Sequence, residues 1–128
     1  MPDNLTVVLD GVSQLEYQRD RPLTGKQRQY LDNLDRDMDA GVELGGRRIE
    51  SPNALQRAQF VAMQLLQAVR DGNEPVAAAT CAYLANRISD IKQVRGTMRG
   101  GLLSVDLVFD KAYAKEMKVE FVKPSQLN

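Results

Sequence analysis

Histidine is missing from this chain. Its absence takes away the commonest general base near neutral pH and the commonest metal ligand, and most hydrolase triads and zinc sites go with them. Phosphate-cradling glycine loops are missing too: neither GxGxxG nor GxxxxGK[ST] occurs, so the glycines read as turn and cap residues. The lone cysteine, Cys81, forbids an intramolecular disulfide and fits a reducing compartment, with the cytoplasm as the expected location. Charge of one sign is not in excess. Seventeen basic and seventeen acidic residues cancel, which removes the broad positive field of a protein that holds nucleic acid mainly through phosphates. No run approaches the roughly 20 apolar residues that span a bilayer, and the N-terminus lacks the charged and apolar regions of a signal peptide. The expectation is a soluble, unprocessed chain with no membrane association.

What is present is periodicity. With 128 residues the chain fits one domain, residues 1–128, able to bury roughly two thirds of its unfolded surface without a metal or disulfide. The strongest signal is residues 51–72, SPNALQRAQFVAMQLLQAVRDG. Ser51-Pro52 suits an N-cap and first turn, and Leu55, Ala58, Ala62, Leu65, Leu66 and Val69 recur at three- and four-residue steps. Phe60, Val61 and Met63 widen that arc, so this helix is expected at the centre of the fold.

Upstream, residues 5–9 and 12–17 flank Asp10-Gly11, a dipeptide suited to a type I′ hairpin turn. Thr24 and Gln27 have capping-box spacing ahead of the stripe Tyr30, Leu31, Leu34 and Met38, and Gly41 supplies a closing residue. Residues 42–49 hold Gly45-Gly46 and suggest a small hairpin, marginal unless joined to a larger sheet. Downstream, Asp71-Gly72-Asn73 stops one helix and caps the next, and Ala77, Cys81, Leu84 and Ile88 form a face that packs back as a helical hairpin. The period then changes from 3.6 to 2: residues 91–98 and 102–109 flank Arg99-Gly100-Gly101 as a second hairpin. Met117, Val119 and Phe121 alternate as in a final strand. The fold class predicted is α+β, with three main helices (about 24–40, 52–71 and 74–89) on one face of a largely antiparallel sheet (about 5–9, 12–17, 91–98, 102–109 and 117–122).

Catalytic residues are scarce, and no catalytic set is assigned. Cys81 sits on an apolar face among alanines and reads as core rather than nucleophile. Asp35-x-Asp37-x-Asp39 departs from a calcium loop, since Ala40 stands where glycine is required and Gly46 where a bidentate glutamate is required. An acidic helix face is the simpler reading. No metal or cofactor is expected.

Two recognition surfaces remain. The hairpin at 91–109 carries Arg95, Met98, Arg99 and Leu102, a set suited to a protein partner or a second copy. This favours a small non-enzymatic accessory or regulatory protein working through protein contacts, as a homodimer. The alternative is a nucleic-acid-binding regulator using Arg47, Arg48, Arg87, Lys92, Arg95 and Arg99, a basic ribbon with no acidic residue between 91 and 105. That segment lacks aromatics for base stacking, and basic residues commonly protect exposed strands. A third class, an enzyme acting on a small molecule without histidine, has no residue set to support it.

Overall fold

The computed structural model describes residues 4–19 and 22–111. In chain order the elements are β1 (Asn4–Leu9), β2 (Val12–Gln18), α1 (Gly25–Asp39), β3 (Val42–Leu44), β4 (Arg47–Ile49), α2 (Ala54–Asp71), α3 (Glu74–Arg87), β5 (Gln93–Arg99) and β6 (Leu102–Val108). Among the described residues, three helices, a mostly antiparallel four-stranded sheet and a small two-stranded one make this the α+β fold expected. The strand proposed at Met117–Val122 lies outside the described residues.

Local chemistry sets the boundaries. Asp10 and Gly11 have φ of 51° and 81°, and Gly100 and Gly101 have 56° and 81°. Two successive left-handed residues match the right-handed twist of the flanking strands, so each pair closes a tight hairpin. Helix α1 begins at Thr24, whose side chain accepts from the Gln27 backbone while Gln27 reaches back to Thr24. Helix α2 corrects the sequence reading. Its N-cap is Asn53, in a capping box with Gln56, so the helix starts at Ala54 and Ser51-Pro52 lies ahead of it. Proline holds its predecessor in extended backbone, and here it leads into the cap instead of the first turn. Gly72 closes α2 at φ 76°, and Asn73 caps α3 two residues after α2 ends.

The sheet order is β2-β1-β5-β6. Each hairpin is antiparallel, and the two meet through parallel pairing of β1 with β5. A parallel neighbour requires a long crossover, and the helices supply it. Because β1 and β5 run the same way, both hairpin turns lie at one end of the sheet. Asp10 ties them together: its N–H donates to Gly96 O, and its Oδ1 accepts from Met98 N.

Leu5, Val7, Leu15, Tyr17, Val94, Leu103, Val105 and Leu107 all join the cluster of packed apolar side chains. Helices α2 and α3 lie against each other, with α2 over β6 and α3 over β2. Leu65, Leu66, Cys81, Leu84 and Ile91 are fully buried, and each large aliphatic side chain among them contributes about 1.5–3 kcal/mol of burial. Gly96 brings α2 onto the sheet. A Cβ built there would stand 2.9 Å from both Leu66 methyls, so glycine is what allows helix and strand to close up. Leu55, expected in the apolar stripe, is instead 51 % exposed, because it sits in the opening turn before the helix reaches the core.

The small β3–β4 hairpin stays separate from the main sheet. Two three-residue strands would not hold alone. Val42 is buried and packs with the core, as do Leu44 and Ile49 at its margin. No helix among the described residues is long and apolar enough to cross a membrane.

Candidate functional site

Two places on the molecule gather polar or unsatisfied groups, and they differ in what they can do. The first is centred on Asp35 of α1. Tyr83 Oη donates to its Oδ1, Arg87 Nε donates to Oδ2 at 3.1 Å, and Arg57 Nη1 donates to Oδ1 at 3.2 Å. Arg57 also pairs with Asp39, and Arg87 with Asp32 at 2.8 Å. Burial alone would push the Asp35 carboxyl upward, but the three donors together outweigh it and hold the group below 3.8. Tyr83 shows the reverse. Burial, helped by its bond to the Asp35 carboxylate, raises the phenol well above 10 and keeps it a proton donor.

This constellation resembles an acid–base site in its residue types, but its groups are already engaged with one another. Both oxygens of Asp35 are occupied, and the phenol points into that pair. Its consequence is mechanical: α1 buries only Leu31 and Met38, and the Asp35 network joins α1 to α2 through Arg57 and to α3 through Tyr83 and Arg87. The sequence carried a signal for it. Asp32, Asp35 and Asp39 repeat at three- and four-residue steps, the spacing of one helix face, and that acidic stripe meets arginines from two other helices.

Two further groups are structural. Cys81 is fully buried, and burial pushes its thiol up to about 12 despite the charge of Arg19, so it carries no appreciable thiolate at neutral pH. Arg19 follows β2 and donates to the carbonyls of Ala85, Ile88 and Ile91. It covers acceptors in the last turn of α3 and just beyond it, where Ile88 O also accepts from the Ile91 N–H. Among the described residues, no group of three His, Cys, Asp or Glu side chains stands close enough to hold a metal ion.

The second place is the β5–β6 hairpin. Its ladder runs without interruption from Gln93↔Val108 to Arg99↔Leu102. Val94, Gly96 and Met98 alternate onto the helix side, as the Gly96–Leu66 contact fixes. Gln93, Arg95, Thr97 and Arg99 alternate onto the reverse side. Of the residues singled out by sequence, Arg95, Arg99 and Leu102 therefore share one face, while Met98, opposite Leu103, turns toward the helices. Leu102 is 75 % exposed. Arg95 donates to Gln93 Oε1 at 2.6 Å, and Arg99 stands beside the glycine turn.

The remaining arginines of the basic set are distributed elsewhere. Arg87 is held by Asp32 and Asp35 in the helix layer. Arg48 donates to Ala40 O at the end of α1, and Arg47 opens β4 on the separate small sheet. Lys92 leads into β5, where its backbone N–H bonds Val108 O. The fold thus brings together the hairpin residues and does not bring Arg47, Arg48 and Arg87 to them.

The outer side of β6 is an edge of the sheet, with no strand beside it among the described residues. Along its seven residues, LLSVDLV, the only charge is Asp106. There is no proline, lysine or bulge to block a further strand. No family model matches the chain, and no curated protein or solved structure matches it either.

Proposed function

We propose that this is a small non-enzymatic accessory or regulatory protein, acting in the cytoplasm through protein contacts made by the β5–β6 hairpin. The observation that carries the reading is the outer strand of that hairpin: an unbulged, seven-residue edge, almost uncharged, that begins with Leu102, left 75 % exposed. Such an edge offers a row of backbone donors and acceptors to an incoming strand, with alternate side chains to set specificity. The chemistry of the other polar cluster supports a structural role for it, since its carboxylate, phenol and guanidinium groups satisfy one another. The buried thiol supports the same reading.

The test is a photo-reactive residue placed at Leu102 and, in a second variant, at Gln29 on the exposed part of α1. A protein partner or second copy acting through the hairpin gives discrete cross-linked products in cells from position 102 and not from position 29. Equal yields from both positions, or none from 102, would remove the proposal.

A further inference from the structure

We infer that the partner strand at the β6 edge is β6 of a second copy, paired antiparallel about Val105 so that two four-stranded sheets become one of eight. This rests on the protein-contact reading and names its occupant.

A two-fold interface presents one patch to itself, so any residue at the edge must tolerate the residue that symmetry sets opposite. An antiparallel strand pairing with its own copy sums each pair to a constant. Centred on Val105, Leu102 meets Val108, Leu103 meets Leu107, and Ser104 meets Asp106. Read in either direction, LLSVDLV gives apolar, apolar, polar, apolar, polar, apolar, apolar. The pattern is therefore its own complement in this register. On the helix side, Leu103, Val105 and Leu107 would extend the row that already packs against the core. On the reverse side, exposed Leu102 gains the Val108 side chain, and the sole charge of the strand meets a hydroxyl. Other registers fare worse. Centring the axis on Asp106 opposes two carboxylates, and sliding by one residue at each step alternates the faces against each other.

Charge discriminates this register from any other surface. Ser104 is exposed and opposes Thr97 within its own hairpin, so it can be changed without touching the core. Ser104→Asp would place two carboxylate pairs across the two-fold axis, and Ser104→Lys would place two ion pairs there. Cross-strand pairs of this kind predict a dimer dissociation constant roughly tenfold weaker for the first variant and several-fold tighter for the second.

The experiment is sedimentation equilibrium on the full chain and both variants, together with concentration-dependent hydrogen exchange of the β6 amides. A dimer whose affinity moves in opposite directions with the two substitutions, and whose outward β6 amides become protected as concentration rises, supports the inference. A dimer that ignores both substitutions overturns it, as does one weakened equally by both. A monomer with outward β6 amides protected at every dilution also overturns it, because the edge is then covered without a second copy. A monomer with exposed amides that still cross-links at Leu102 removes the second copy while leaving the protein-contact reading intact. Loss of the cross-link as well removes both.

Discussion

Among the described residues, strands β2 and β6 are the two edges of one sheet, seven residues each, and they are finished in opposite ways. Along β2 the register skips from Val7↔Leu15 to Val8↔Ser13, so Gln14 is an extra residue and the strand is bulged. Bulges bend and twist an edge away from further pairing. Beyond it, Arg19 fastens the end of the strand to α3, and α3 is joined to α1 through the Asp35 network. Polar contacts add to the apolar core in tying that half of the molecule together. The β6 half rests on apolar contact, Leu66 against Gly96, and its edge carries neither bulge nor base. An edge strand that is left straight, where the same sheet has blunted the other one, is where association is expected.

The largest effect belongs to the apolar seat of the open half. Leu66→Ala removes a fully buried side chain under β5 and should cost about 2–5 kcal/mol in chemical denaturation. Gly96→Val acts from the other side by overfilling the same contact, at about 1–3 kcal/mol. A loss below 1 kcal/mol for both would mean that α2 does not seat the hairpin.

Next comes the polar half. Asp35→Ala leaves Tyr83 and two arginines without their shared acceptor, and since Asp35 is a third exposed the cost should be about 1–2 kcal/mol. The effect has a pH signature. The folded-state pKa of Asp35 is lowered from 3.8, so its stabilisation is complete above that value and is lost as pH falls through the lower folded value. The stability gap between wild type and Asp35→Asn should be constant from pH 5 to 7 and shrink below about pH 4. A gap that widens on acidification would reverse the assignment.

A smaller effect would convert one edge into the other. Deleting Gln14 removes the extra residue and straightens β2, and a molecule with two open edges should form species larger than a dimer at high concentration. Light scattering that shows no mass beyond that of wild type would mean the bulge is not what protects that side. The least effect is expected at the hairpin tip. Arg99→Ala should change folding stability by under about 0.5 kcal/mol. Its value lies in a salt titration: retention on DNA or RNA that weakens with salt and with this substitution would favour the basic-ribbon alternative. No retention at low salt would end it.

Much of the fold was legible because it is local. Capping pairs such as Thr24 with Gln27 act across three residues, and turns such as Asp10-Gly11 impose left-handed geometry by themselves. The start of α2 is local as well: Asn53 with Gln56 is a capping box that begins immediately after Ser51-Pro52, the competing start. The acidic stripe on α1 was also visible as spacing, but its meaning was not. Nothing near Asp35 announces Arg57, Tyr83 and Arg87, which come from 22, 48 and 52 residues away.

By itself, the sequence determined the elements: where helices begin and stop, where two hairpins turn, and which side of each strand is apolar. Tertiary structure alone decided that β1 and β5 lie side by side in parallel, that Arg19 closes the end of α3, and that one edge is bulged while the other is left straight. The physical reason is range. Backbone sterics and capping bonds act between neighbours in the chain, whereas strand order and ion-pair partners depend on which apolar surfaces meet after collapse.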